Sequence, residues 1–193
     1  MGIHGSQTEK NLLAAFAGES QARNRYTLFA KKAREEKIEY AARIFESTAQ
    51  NEFAHAKRFF SFLEGYPVQI TATYPAGKVG TTLENTVAAI EGENEEATTL
   101  YPGFADVARQ EGFMDVAAVF EKIIEVEKQH RERFIYLKGY IPTLTFPSNY
   151  NAWLCLNCGF VVTGPKPPVT CPLCLEDSTF FVPYEGSSNV LPL

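Results

Sequence analysis

Ile123-Ile124-Glu125-Val126-Glu127-Lys128-Gln129-His130 is the stretch on which the architecture turns. Followed in both directions, Val116, Phe120, Ile123, Glu127, His130, Phe134 and Leu137 recur at steps of three and four, the spacing of one stripe on an α-helix. Five of these seven positions are apolar, so the stripe faces a core. The other two are a carboxylate and an imidazole, one turn apart on that inward face. An unpaired carboxylate is costly to bury and normally neutralises, pairs or binds a metal. Glu-x-x-His directed into a helical core therefore asks for a cation, and the rest of the chain must supply the remaining ligands.

Three further helices do so. Ser6-x-x-Glu9 is a capping box opening a helix to about Glu36, with Leu12, Phe16, Glu19, Arg23, Tyr26, Ala30 and Ala33 on its inward stripe. A second helix, from about Ile38 to Leu63, carries Phe45, Ala49, Glu52, His55, Phe59 and Leu63, which repeats Glu-x-x-His. Gly65-Tyr66-Pro67 ends it, and residues 66–80 read as a long crossover. Thr81-x-x-Glu84 is another capping box, followed by Val87, Ile90, Glu93, Glu96, Leu100, Phe104 and Val107. Pro102 and Gly103 interrupt that helix and predict a kink or π-type bulge near Tyr101. Gly112 punctuates, and the fourth helix runs to about Gly139-Tyr140. Four long helices with one long central crossover predict an all-α four-helix bundle of ferritin-like connectivity.

The chain also repeats itself. At an offset of 75, Tyr26 falls on Tyr101, Arg34 on Arg109, Phe45 on Phe120, Glu52 on Glu127, His55 on His130 and Phe59 on Phe134. Gly18-Glu19 matches Gly92-Glu93 at an offset of 74, one residue out of register. Each half is a helical hairpin with one Glu on its first helix and Glu-x-x-His on its second. The bundle is assigned to residues 1–141 and a linker marked by Pro142, Pro147, Ser148 and Asn149 to 142–151. The remainder, 152–193, is too short to bury an ordinary core and must be held by its four cysteines.

Composition narrows the function. The chain is 45% hydrophobic with 15 Phe and 9 Tyr, outside the disordered class. A net charge of −5 argues against nucleic acid or an anionic membrane as partner, and removing five inward-facing glutamates would bring it to zero. No apolar run approaches a membrane span and the first ten residues lack a signal-peptide core, so a cytoplasmic location is expected. In a reducing compartment two Cys-x-x-Cys pairs read as a metal site rather than disulfides.

The inward polar residues are Glu19, Glu52, His55, Glu93, Glu96, Glu127 and His130. One Glu from each of two helices plus Glu-x-x-His from each of the others is the ligand set of carboxylate-bridged di-iron and di-manganese bundles. Two adjacent divalent ions repel, so anionic bridging oxygens are required, and hard carboxylates with a few imidazoles suit iron or manganese. Glu52 and Glu127 are the expected bridges, Glu19 and Glu93 terminal ligands, and His130 a cap on one metal. Glu96 breaks the duplication, since its counterpart is Ala22. His55 and Glu96 are therefore read as alternatives on one iron, the neutral imidazole suiting the ferrous state and the carboxylate the ferric. Tyr26 and Tyr101 fall on the inward stripes, either as core tyrosines or as partners that orient the carboxylates.

Cys155-x-x-Cys158 and Cys171-x-x-Cys174 are two knuckles for one tetrahedral metal. Spacing alone leaves zinc and iron open. Trp153, Phe160, Phe180, Phe181 and Tyr184 supply aromatic packing, and only iron would carry an electron there.

Taken together, Gly18-Glu19-Ser20-Gln21-Ala22-Arg23, Glu52-x-x-His55, Gly92-Glu93-x-x-Glu96, Glu127-x-x-His130, Cys155-x-x-Cys158-Gly159 and Cys171-Pro172-x-Cys174 resemble the rubrerythrins over essentially the whole chain. The resemblance implies a non-haem di-iron peroxidase that reduces hydrogen peroxide to water and protects against oxidative stress. It implies a C-terminal rubredoxin-like domain whose iron, held by Cys155, Cys158, Cys171 and Cys174, passes electrons to the di-iron centre. It also implies that His55 replaces Glu96 on one iron upon reduction, and that Tyr26 and Tyr101 hydrogen-bond ligand carboxylates.

Glu96, free when His55 holds the iron, is the expected proton donor as the O–O bond breaks. An electron-donor protein or reductase must stand upstream. From His130 to Tyr140 the helix travels about 15 Å, and the linker adds on the order of 30 Å. A head-to-tail homodimer is therefore expected, with the rubredoxin-like unit docked on the partner's bundle. The competing expectation is a ferroxidase or iron-handling bundle with a structural zinc ribbon.

Overall fold

The computed structural model describes residues 2–144 and 150–184. The bundle consists of α1 (Gln7–Glu35), α2 (Glu39–Phe60), α3 (Thr82–Glu95), a π turn (Glu96–Leu100), α4 (Tyr101–Gln110) and α5 (Met114–Tyr140). α3, the π turn and α4 together make the third helix, so four helices are present as expected. α1 lies along α2, and α3 and α4 lie along α5. The crossover from 63 to 81 holds no regular element.

The helix ends follow from local chemistry. Thr81 and Glu84 form a complete capping box. The Ser6 hydroxyl accepts from Glu9 N–H, but the Glu9 carboxylate reaches past Ser6 to Gly5 N–H at 2.7 Å. α2 stops at Phe60 rather than near Leu63, because Ser61 turns its hydroxyl back onto the Arg58 carbonyl and Phe62 N–H bonds the Phe59 carbonyl.

The duplicated sequence is a duplicated structure. α1 and α4 both end on a left-handed residue, Lys37 (φ 59°) and Gly112 (φ 85°), which stand 75 positions apart. In each turn a long backbone bond closes the helix, Ile38 N–H to Ala33 C=O and Phe113 N–H to Ala108 C=O. Arg34 pairs with Glu46, and Arg109 with Glu121. Glu111 accepts from the N-terminal amides of α1 at Gln7 and Thr8, and Glu36 from Thr82 at the start of α3. Each hairpin thereby caps the other.

Two apolar clusters fill the bundle, with a polar layer between them. One holds Ala22, Tyr26, Phe29, Phe45, Ala49, Ala89, Phe134 and Leu137, the other Leu12, Ala15, Phe59, Tyr101, Phe120 and Ile123. On every helix the stripe passes from one cluster to the other through an acidic residue. Glu19 lies between Ala15 and Ala22, Glu52 between Ala49 and Phe59, Glu93 between Ala89 and Tyr101, and Glu127 between Ile123 and Phe134.

The C-terminal unit is a three-stranded antiparallel sheet in the order β2 (Val161–Thr163), β1 (Ala152–Cys155), β3 (Phe181–Pro183). Trp153, Phe181, Cys155 and Cys171 form its small core, with Phe160 and Phe180 packed against it. Val182, Leu154 and Leu156 rest on the first apolar cluster of the bundle. Of the expected linker, residues 145–149, including Pro147, Ser148 and Asn149, lie outside the described residues, as does the chain beyond Tyr184. No described helix is long and apolar enough to cross a membrane.

Candidate metal centre

Glu19, Glu52, Glu93, Glu127 and His130 are essentially fully buried, and His55 is nearly so. The ligand atoms fall into two groups, Glu19, Glu52, His55 and Glu127, and Glu52, Glu93, Glu127 and His130, each spanning no more than 4.8 Å. Glu52 and Glu127 belong to both. Their two oxygens divide between the imidazoles: Glu52 presents Oε2 to His55 Nδ1 at 3.1 Å and Oε1 to His130 Nδ1 at 3.1 Å. Glu127 presents Oε1 to His55 at 2.9 Å and Oε2 to His130 at 2.8 Å. Glu19 completes the first group at 3.6 Å from His55, and Glu93 the second at 3.4 Å from His130.

These atoms are arranged for a cation. Glu19 Oε2, Glu52 Oε1, Glu93 Oε2, both oxygens of Glu127 and Nδ1 of His130 are buried without a hydrogen-bond partner. They lie close together, yet are not aimed along hydrogen bonds. Orphaned buried groups of this kind are rare and costly unless an ion satisfies them. The four carboxylates in the two groups match the charge of two divalent metals. Without metal, protons take that place. Burial pushes Glu19 up, reinforced by Glu127 and Glu52, and burial likewise raises Glu93 and Glu96. Burial would also raise Glu52, but the adjacent imidazoles of His130 and His55 outweigh it and hold Glu52 at about 2. Burial would lower His130, yet Glu127, Glu52 and Glu93 carry it up to about 12.

The supporting bonds cross between hairpins. Tyr26 of α1 donates to Glu93 of α3, while Tyr101 of α4 donates to Glu19 of α1 at 2.6 Å. Both phenols are buried and their pKa values raised, by burial first and then by Glu93 and Glu19 respectively, so they remain donors. Of the two readings of these tyrosines, the geometry supplies the one that orients carboxylates.

Asn51 is a contributor that periodicity did not single out. Its carbonyl oxygen lies 3.2 Å from His130 Nε2, which therefore carries the proton and leaves Nδ1 to face the three carboxylates. The residue 75 positions on is Val126, which offers His55 no such bond. The only signal in the sequence was that one member of an otherwise matched pair is polar.

Glu96 lies outside both groups. It begins the π turn, whose defining bond runs from Tyr101 N–H to the Glu96 carbonyl five residues back. Pro102 follows directly, at the start of α4, within the same continuous helix. The origin of the turn is one extra residue. Gly18 and Glu19 correspond to Gly92 and Glu93 at an offset of 74, Tyr26 to Tyr101 at 75, and the π turn lies between. The insertion thus falls in the segment that begins with Glu96.

At the second site all four Sγ atoms lie within 4.8 Å of one another, with Cys155 to Cys174 at 3.7 Å and Cys158 to Cys171 at 3.6 Å. A tetrahedron with metal–sulfur bonds of about 2.3 Å has edges of about 3.8 Å, whereas a disulfide would require about 2 Å. Hydrogen bonds from the Asn157 side chain and the Glu176 backbone lower Cys174 to about 6, so one ligand is already a thiolate near neutrality.

Comparison with known proteins agrees with this geometry. The rubrerythrin family model matches residues 10–138, and that of the rubrerythrin rubredoxin-like domain matches 153–182. The rubrerythrin of Porphyromonas gingivalis is 51% identical over 185 residues, covering 95% of this chain and 92% of that one. The chain belongs to the rubrerythrin family. The rubrerythrin of Nitratidesulfovibrio vulgaris is 42% identical, with 93% and 95% coverage. Among solved structures, nigerythrin in its fully reduced, all-ferrous state superposes with a TM-score of 0.63 at 31% identity, over 95% of this chain and 92% of that one. A Mycobacterium tuberculosis bacterioferritin, at 20% identity and a TM-score of 0.63, shares the bundle fold. The carboxylate–histidine groups fit the di-iron site of rubrerythrins, and the four cysteines fit the iron of their rubredoxin-like domain. Membership is consistent with an oxidoreductase.

Proposed function

We propose that this rubrerythrin is a peroxidase that reduces hydrogen peroxide to water, drawing electrons through the iron held by Cys155, Cys158, Cys171 and Cys174. The observation that carries the reading is the sharing of Glu52 and Glu127 between two adjacent ligand groups, in a chain that also brings its own electron-transfer unit. A two-electron oxidant is matched by two one-electron metals. Glu19, Glu52, His55 and Glu127 would hold one iron, and Glu52, Glu93, Glu127 and His130 the other. The bound pair supplies two electrons and Lewis-acid stabilisation of the developing oxide.

The protein groups do the rest. Tyr26 and Tyr101 hold Glu93 and Glu19 in place. Asn51 fixes the His130 ring, while His55, without such an anchor, is the ligand free to exchange with Glu96. The carboxylate of Glu96 would balance the greater positive charge of a ferric pair better than the neutral imidazole of His55. Away from the metal, burial keeps the Glu96 carboxyl protonated well above the ordinary range, as a proton donor requires.

The rubredoxin-like unit rests on the bundle through Val182, Leu154 and Leu156, with a full apolar cluster between that contact and the polar layer. This placement supports electron delivery to a second copy, in a head-to-tail dimer served by a donor protein or reductase.

Mixing the reduced, iron-loaded protein with one equivalent of peroxide, and separately with dioxygen, tests the reading. Visible absorbance of both iron sites should oxidise faster with peroxide. Faster oxidation by dioxygen, together with a colourless four-cysteine site, would favour the ferroxidase with a zinc ribbon.

A further inference from the structure

Beneath the crossover lies a cavity of about 860 Å³, bounded by α1, by Pro67–Pro75 and by the start of the π turn. Two bonds hold its roof: Tyr74 OH donates to the Ala14 carbonyl at 2.8 Å, and the Gln21 amide to the Pro75 carbonyl at 2.7 Å. Of the seven residues assigned to the di-iron site, only Glu96 lines it. A water claims about 30 Å³, so hydrogen peroxide needs on the order of twice that. The cavity is instead of the size that takes organic ligands. Leu100, Phe104, Ile70 and Val68 give it apolar wall, and exposed Lys10 and half-buried Arg25 also line it.

Two glycines in this lining need a reason. Gly18 and Gly92 each stand one residue before a carboxylate of the site, in the middle of a helix, where glycine costs about 0.5–1 kcal/mol relative to alanine. Neither has a left-handed backbone. A Cβ on Gly92 would meet nothing within 4 Å, and one on Gly18 only Tyr74 at an ordinary 3.6 Å. Neither conformation nor packing demands them, but both line the same cavity as Glu96, where a longer side chain would take up its space.

We propose that this cavity is a compartment for organic hydroperoxides, which lodge their organic group under the crossover and present the O–O bond past Glu96, Gly18 and Gly92 keeping the approach open. The inference rests on the peroxidase reading. The O–O bond of R–O–O–H would break with two electrons from the ferrous pair, one proton from the Glu96 carboxyl and one from solvent, and the products are R–OH and water.

The test compares cumene hydroperoxide with hydrogen peroxide on the iron-loaded full chain and on Gly92→Leu, with Gly92→Ala as a milder variant. Calorimetric titration of 2-phenyl-2-propanol, the alcohol product, into the oxidised protein gives a readout independent of turnover. Wild type should reduce both peroxides and bind the alcohol. Gly92→Leu should lose about tenfold or more in kcat/KM for cumene hydroperoxide, stay within about threefold for hydrogen peroxide, and bind the alcohol more weakly, with Gly92→Ala between. Reduction of hydrogen peroxide alone, without alcohol binding, would overturn the compartment and leave the peroxidase reading intact. So would an unchanged or equal loss for both peroxides in Gly92→Leu. Failure with both peroxides in wild type would overturn the proposed function, and the inference with it.

Discussion

The two hairpins of the bundle are copies that differ at a few positions, and those positions hold the chemistry. Both end their first helix on a left-handed residue, both cap the other's first helix, and each sends a tyrosine across to the other's terminal carboxylate. That symmetry builds a cage for two equivalent metals. It cannot by itself build an enzyme in which one metal changes ligand. The second hairpin adds one residue, the π turn, and with it Glu96 where the first has Ala22. The first hairpin supplies Asn51 to His130, where the second has Val126. On the proposed reading, one metal position is thereby fixed and the other given a choice between His55 and Glu96.

Breaking the shared carboxylates should have the largest effect. Glu52→Ala or Glu127→Ala removes a ligand from both groups and should abolish retention of the di-iron pair on gel filtration. Glu19→Ala and Glu93→Ala each strip one group and should leave about one iron bound, measured by metal analysis beside the intact four-cysteine site. Removing the asymmetry comes next. Glu96→Ala, which copies the first hairpin, should slow single-turnover oxidation by peroxide about 100-fold with iron content unchanged.

Disturbing the imidazoles should cost less. Asn51→Val, which makes the halves alike, should weaken metal affinity about tenfold, read by chelator competition, and Val126→Asn should slow His55 exchange rather than binding. Retitrating the cage is subtler still. In the metal-free fold Glu19 and Glu93 keep protons that an unfolded chain loses above 4.5, and His130 keeps its own from 6.5 up to about 12. The fold then binds more protons than the unfolded chain, so its stability falls as pH rises above 4.5 and on toward about 12. Metal must displace those protons, so its contribution rises over the same range. Melting temperatures of the two forms should diverge with pH, and parallel curves would contradict the account. The smallest effect is at the caps, where Thr81→Ala should cost about 1 kcal/mol in chemical denaturation.

Much of this was legible in the residues. The bundle followed from apolar steps of three and four interrupted on each helix by an inward Glu, because a buried carboxylate has few physical explanations. The four-cysteine site followed from spacing alone. The π turn was expected near Tyr101 from Pro102, which follows it directly, and the shift in repeat offset from 74 to 75 independently locates an insertion there. The crossed partnership of Tyr26 with Glu93 and Tyr101 with Glu19 depends on how the hairpins pack, which periodicity within one helix does not encode. Asn51 was missed for a related reason: a bond from α2 to α5 leaves no mark on the stripe of either.

Anomalous scattering at the iron edge from an iron-loaded crystal tests the central claim most directly. Two peaks about 3.5–4 Å apart should lie between Glu52 and Glu127, with Glu19 and His55 on one side and Glu93 and His130 on the other, and a third among the four sulfurs. Scattering confined to the cysteines, with the polar layer of the bundle empty, would contradict it.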